Sequence, residues 1–407
     1  ACGKAGRKDA VDDRERRWPV WIEKRDMKLL KSGNLLIIVI VVYVVVGAFW
    51  AFAGRIGSDD GWYLMTAVRV LEGKLPYRDF MFTQMPVLPF VYALPLYIFG
   101  PSVEVGRLTA LALGLVALLI SMQVAKDMKA SPTAAGLLIA TNSFLMVGFA
   151  QAGFAAPTAM MLAFTMWFAT RPWPWGLRFV SAMLAATLAT GMRLSMFPAI
   201  AIVPLYFVLE RSPAPRPNTW TRFTVALLGA LISVLLLAVP YFLYGDRFSF
   251  GAIGHHATKY NLGQGWAFAE LLATFLANKA NYVPAHLSTM VAYWYTLLAL
   301  IVGAGIAVIL RERNLLISLL TPRDARGLCL WLTGTIFAVH AVVPALPFVG
   351  YQWVLAPTVA ILASSAWSYL SQKIGGPSNV AVCAIASAGL VLQLTAFAPT
   401  YAICLSC

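Results

Sequence analysis

The chemistry-bearing residues of this 407-residue chain crowd into one short polar stretch. Of 17 acidic residues, six lie in the first 31 positions, and four of the remainder fall between Asp59 and Asp79. The stretch Ser58-Asp59-Asp60-Gly61-Trp62-Tyr63 opens it and Arg78-Asp79 follows, between long apolar runs. Carboxylates are costly beside a bilayer, so such a cluster marks a candidate site. Two adjacent carboxylates suit general-base work: one accepts a hydroxyl proton while the other orients it or helps hold a divalent cation. Asp59 is the expected base and Asp60 its helper, and both are candidate metal ligands. No set of residues decides for a metal, so no cofactor is assigned and a divalent cation is admitted.

A reaction that releases an anion needs cations to receive the charge. Arg78, Arg193, His255, His256 and Lys259 are the candidates. Arg193 stands out because it interrupts two adjacent apolar runs. Tyr351 and Gln352 sit at an expected helix end with hydrogen-bonding groups free for donor or acceptor. The structural alternatives are plain. One Asp before a helix is often its cap or first-turn dipole partner. A histidine at an interface is often a surface residue, and Trp62, Tyr63, Tyr77 and Trp266 suit an interfacial aromatic belt.

The elements that must position these groups are membrane spans. Hydrophobic residues make up 60% of the chain and charged ones 12%, about half the charge of a soluble domain. Apolar runs of roughly 20 residues recur, the length needed to cross a hydrocarbon core. Expected spans are 34–53, 103–124, 132–150, 157–169, 177–192, 194–209, 223–243, 288–310, 327–346, 351–370 and 379–398, giving 11. The fold expected is an all-α polytopic membrane protein. With the N-terminus inside, every inner loop is basic: Lys126/Lys129, Arg171/Arg178, Arg211/Arg216/Arg222, Arg311/Arg313/Arg323/Arg326 and Lys373. The net charge of +14 therefore reports topology rather than nucleic-acid binding.

Domain organisation follows. Residues 1–33 read as a cytoplasmic tail, 34–400 as the transmembrane domain with outer loops 54–102 and 244–287, and 401–407 as a short tail that leaves room for a missing C-terminal part. Residues 86–100 are apolar but only 15 long and carry Pro86, Pro89 and Pro95. They read as an outer-surface or re-entrant segment. Asp60–Glu72 has helical period, with Leu64, Ala67, Val68 and Leu71 on one stripe expected to lie in lipid. His340 falls inside a span, where a neighbouring helix is expected to satisfy it. The five cysteines form no disulfide framework or zinc spacing, and Cys404-x-x-Cys407 is a weak redox signal.

The first loop resembles that of bacterial GT-C glycosyltransferases, in the protein-mannosyltransferase-like and aminoarabinose-transferase-like branch. The resemblance rests on Ser58-Asp59-Asp60-Gly61-Trp62-Tyr63, Leu71-Glu72-Gly73-Lys74-Leu75-Pro76-Tyr77-Arg78-Asp79-Phe80, Gln84-Met85-Pro86-x-x-Pro89 and Phe99-Gly100-Pro101-Ser102. Val105-Gly106-Arg107-Leu108 is similar to the start of that family's second span. Gly191-Met192-Arg193-Leu194 and Tyr351-Gln352-Trp353-x-x-x-Pro357 are similar to its later turns. The family's paired acids are commonly Asp-Glu; here the second is the shorter Asp60.

The resemblance implies an integral glycosyltransferase in the plasma or inner membrane. It would take a sugar from a polyprenyl-phosphate donor to a lipid, glycan or protein acceptor on the extracytoplasmic face, usually with inversion. The alternative is a transporter or flippase for a lipid-linked or small polar substrate. Transporters usually place ionisable groups near the midplane and carry internal repeats; here the charges are expected at span ends.

Overall fold

The computed structural model describes residues 33–54, 58–211, 216–255, 322–342 and 353–374. The expected spans 288–310 and 379–398, the N-terminal tail and Cys404/Cys407 lie outside the described residues, as do His256, Lys259, Tyr351 and Gln352. Among the described residues the structure is all helical. In chain order these are α1 (Gly33–Ala53), α2 (Ser58–Leu71), α3 (Val87–Phe99), α4 (Val103–Asp127), α5 (Pro132–Ala140), α6 (Ser143–Phe149) and α7 (Ala155–Thr170). There follow α8 (Trp175–Met192), α9 (Pro198–Leu209), α10 (Thr219–Tyr244), α11 (Asp246–Ser249), α12 (Ala325–Val342) and α13 (Ala356–Ile374). A 3₁₀ turn, Leu194–Met196, joins α8 to α9, and a π-helical segment, Phe250–Gly254, extends α11.

The helices traverse in alternation between two ends, and small residues set how closely they approach. The Tyr43 hydroxyl of α1 donates to the Leu111 carbonyl of α4 at 2.9 Å. A Cβ on Gly114 would stand 2.3 Å from that hydroxyl. Such close backbone approach through glycine is a common device where helices pack in lipid. After α4 the chain returns in two pieces, α5 and α6, which the sequence reads as the single span 132–150. Asn142 accepts from Leu145 N at 3.1 Å and caps α6. An internal cap of this kind satisfies backbone donors that a break within a bilayer would otherwise strand.

One end gathers Ala53, Ser58, Val103, the turn after α6, Arg193 and the C-terminus of α10. The other gathers Asp127–Ser131, Arg171–Trp175, Glu210 and the start of α12. Arg211 N donates to the Arg323 carbonyl at 3.1 Å there, and Ser131 N donates to Ser368 Oγ of α13 at 2.9 Å. Among the described residues three helices, Leu35–Ala53, Val103–Asp127 and Thr219–Tyr244, are long and apolar enough to cross a membrane. Their outer faces leave Ile37, Val45, Phe52, Leu231, Leu236 and Phe242 exposed. A continuous apolar surface of this extent belongs in lipid rather than water. The chain is a polytopic helical membrane protein.

α3 does not cross. Its N-terminal Val87 packs against Gly191 at the end of α8, and its C-terminus leads through Ser102, which caps α4, back to the same end. That placement at one end of the bundle is compatible with the outer-surface or re-entrant segment expected for residues 86–100. The lipid-facing stripe expected on α2 is corrected. Leu64 and Ala67 are buried at 7% and 0% exposure, and a Cβ on Gly106 of α4 would meet Leu64 at 2.4 Å. Gly106 leaves a notch that Leu64 fills, so protein rather than lipid covers that side of the stripe.

Candidate active site

The first turn of α2 places its two carboxylates differently. Asp59 is exposed; Asp60 is 1% exposed. Adjacent residues on a helix point about 100° apart, so burying one face of α2 separates the pair. Both sit where a helix N-terminus favours negative charge.

Asp60 is held from two sides. Its Oδ2 accepts from Arg107 Nη2 at 2.8 Å, and its Oδ1 accepts from the Ala152 backbone N–H at 2.7 Å. Arg107 Nη1 also donates to the carbonyls of Ala51 at 2.9 Å and Gly54 at 3.0 Å. Those carbonyls close the C-terminus of α1, where cations are favoured. A single guanidinium thus ties the end of α1, the start of α2 and the first turns of α4 together. A buried charge pair is tolerable only with such additional hydrogen bonds.

The turn Gln151–Phe154 carries the second half of the site. Ala152 grips Asp60, and the Gly153 carbonyl accepts from the Tyr92 hydroxyl of α3 at 2.6 Å. Phe154 lies under Arg193, whose guanidinium carbon is 3.6 Å from the ring centroid. Arg193 is 6% exposed and stands at the C-cap of α8. Such stacking is a favourable way to lodge a cation among apolar helices. Two residues on, Ser195 Oγ is 2.6 Å from His340 Nε2 of α12, so the neighbouring-helix partner expected for His340 is a serine hydroxyl. Asp60 and Arg193 are therefore joined through one turn.

Arg78 and Asp79 stand apart from this centre, on the exposed loop after α2. Gly73, at φ 76°, ends the helix, and Tyr77 takes φ 65°. Asp79 Oδ2 accepts from Leu75 N at 2.8 Å and pairs with Arg78 Nη2 at 2.8 Å. The Arg78 guanidinium, then the Leu75 N–H, hold the Asp79 carboxyl below the usual carboxylate range. Lys74 does the same to Glu72, with help from Arg69. Tyr77 is buried, which pushes its phenol up, and its hydroxyl donates to the Gln84 carbonyl.

The loop meets the segment after α10. The Tyr77 ring packs edge-on to Phe248 at 5.2 Å, Arg247 Nη1 donates to the Arg78 carbonyl at 3.0 Å, and a Cβ on Gly251 would strike the Phe82 carbonyl at 2.2 Å. His255 follows at the end of this segment, half-buried. The two long loops identified in the sequence are thus in contact.

Sequence reasoning missed Arg107 as the partner of Asp60, although a cation just inside an apolar run is itself a signal. It missed the turn Gln151–Phe154, whose contribution is mainly backbone and leaves no chemical signature. Among the described residues no group of three or more His, Cys, Asp or Glu could hold a metal ion. Asp60, already bonded through both oxygens, offers little to a cation, which leaves Asp59 as the remaining candidate ligand.

No protein-family model matches the sequence, and no curated protein matches it either. Solved structures do match. ArnT from Cupriavidus metallidurans bound to undecaprenyl phosphate superposes with a TM-score of 0.54 at 16% identity, over 89% of this chain and 65% of that one. The same protein in its apo state gives 0.52 at 16% identity, over 90% and 66%. The oligosaccharyltransferase AglB from Archaeoglobus fulgidus, in complex with an inhibitory peptide and a dolichol-phosphate, gives 0.52 at 12% identity, over 91% and 55%. The fold is of the GT-C type. The chain spans about two thirds of the length of ArnT and 55% of that of AglB.

Proposed function

We propose that the chain is a membrane glycosyltransferase. It takes a sugar from a polyprenyl-phosphate donor to a lipid, glycan or protein acceptor at the extracytoplasmic face, with Asp59 as base. The carrying observation is an exposed carboxylate on a helix start that a buried Asp60–Arg107 pair holds rigid, in a GT-C-type fold. ArnT bound to undecaprenyl phosphate and AglB with a dolichol-phosphate support the donor class.

In this reading the acceptor hydroxyl oxygen attacks the anomeric carbon as its proton passes to the Asp59 carboxylate. The bond from that carbon to the phosphate oxygen breaks, and attack from the opposite side inverts the centre. The leaving polyprenyl phosphate carries the new negative charge, and Arg193 is its first candidate stabiliser. Arg78, His255, His256 and Lys259 are the others, with Asp79 keeping Arg78 in place. Tyr351 and Gln352 remain candidate hydrogen-bonding partners for donor or acceptor. Asp60 acts by fixing the helix on which Asp59 rides, since rigid placement of a base counts as much as its chemistry. A divalent cation is admitted, with Asp59 its candidate ligand, and is tested by chelation.

The purified chain in proteoliposomes, supplied with a panel of labelled polyprenyl-phosphate sugars and cell-envelope acceptors, should transfer label and release polyprenyl phosphate. Accumulation of label inside the vesicles with the donor intact would instead establish the transporter reading. Loss of transfer with EDTA, restored by a divalent cation, would place a metal in the reaction.

A further inference from the structure

The end of the bundle opposite Asp60 holds a feature that glycosyl transfer does not use. There the turn after α4, the α7–α8 connection, the end of α9 and the start of α12 surround a cavity of about 460 Å³. Five arginines line it against three carboxylates. Most are accounted for. Arg178 makes a buried two-pronged pair with Glu210, at 2.6 and 3.1 Å. Arg171 pairs with Asp127. Asp324 accepts from Gly327 N at 2.8 Å, capping α12, and Arg326 Nη2 donates to the Met128 carbonyl at 3.4 Å.

Arg211 and Arg323 remain. Their backbones are joined by the Arg211 N to Arg323 carbonyl bond, both line the cavity, and neither side chain has a carboxylate partner among the described residues. The basic loops that set topology ordinarily splay into water. These two residues are instead joined through their backbones, and both line a concavity at the end of the spans. Guanidinium pairs match the oxygens of a phosphate, which they can bind two-pronged.

We propose that this cavity is a binding site for a phosphate-bearing anion, held by Arg211 and Arg323 and framed by the Arg178–Glu210 pair. The site lies at the other end of the bundle from Asp59, so it stands or falls independently of the transferase reading. A phospholipid head group reaching in from the adjoining leaflet and a free phosphate share this chemistry, and the test separates them.

The full chain is reconstituted in phosphatidylcholine nanodiscs. One arm titrates inorganic phosphate while following thermal unfolding; a second dopes the disc with phosphatidylglycerol and counts retained lipids by native mass spectrometry. Removing two membrane-surface cations weakens anionic-lipid binding by about thirtyfold. The double variant Arg211→Gln/Arg323→Gln should show that loss in at least one arm, while Arg69→Gln, on a pair at the Asp60 end, should match wild type. Saturable stabilisation by phosphate identifies a free anion; retention of phosphatidylglycerol alone identifies the head group. Equal binding by wild type and the double variant, or none by either, overturns the site. An unliganded double variant that melts with wild type shows that the loss is not misfolding.

Discussion

The Asp60–Arg107 pair is buried, with side chains 0% and 4% exposed, and the start of α2 depends on it. Replacing Arg107 by Met strands the buried Asp60 carboxyl without its cation and removes the donor to the Ala51 and Gly54 carbonyls. Replacing Asp60 by Leu leaves Arg107 charged and the Ala152 N–H without this acceptor. Removing one partner of a buried pair costs roughly 3–5 kcal/mol, so each single change should cost that much. With both changed, no buried charge is stranded, and the cost falls to the three lost backbone hydrogen bonds, about 1.5–4.5 kcal/mol in total at about 0.5–1.5 kcal/mol each. The double variant should thus be less damaging than the sum of the singles by several kcal/mol, a coupling that only an interacting pair produces. Reversible unfolding of the solubilised chain, followed by tryptophan fluorescence, measures it. Arg69→Gln, which breaks an exposed pair with Glu72, is the control and should cost under about 1 kcal/mol. Singles no worse than this control, or a double equal to their sum, would refute the latch.

Gly73→Ala forces a side chain into a left-handed position, φ 76°; it should lower stability by about 1 kcal/mol, and Gly73→Asn by less, in the same unfolding assay. Gly114→Val drives a branched side chain into Tyr43 and Phe149; overpacking of this kind costs about 1–3 kcal/mol, read as a lower melting temperature in nanodiscs. Asp79 has a depressed pKa in the folded chain, so its contribution is complete above the unfolded value of about 3.9 and is lost as pH falls through the lower folded value. Pepsin cleavage in the loop 74–80 should therefore rise as pH falls below about 4 in wild type, and Asp79→Asn should be cut at the acid-state rate throughout. A flat wild-type profile would count against the Arg78–Asp79 lock.

Much of the fold was legible because the spans are apolar and every second one runs into basic residues. The described spans alternate between the two ends as the positive-inside pattern requires, and α3 stays at one end as its prolines and short length imply. Residues 132–150 illustrate the limit. Length alone makes them one span, and only the cap by Asn142 reveals two helices. The stripe on α2 misled for a related reason: Leu64 and Ala67 look the same to lipid and to Gly106, and periodicity does not choose between them. At the site, Arg193 was legible as a cation breaking two apolar runs. The unlike placement of Asp59 and Asp60 was not, since it follows from which face of α2 packs. The Ala152 N–H that grips Asp60 is backbone, and every residue but proline has one.

The central claim is that Asp59 supplies the base, and Asp59→Asn tests it most directly. The change keeps the side chain's size on an exposed position, so unfolding should stay within about 0.5 kcal/mol of wild type. Transfer from a labelled polyprenyl-phosphate sugar, measured as single-turnover release of polyprenyl phosphate, should fall by about 10²–10⁴-fold. Transfer at the wild-type rate by a folded Asp59→Asn chain would contradict the account.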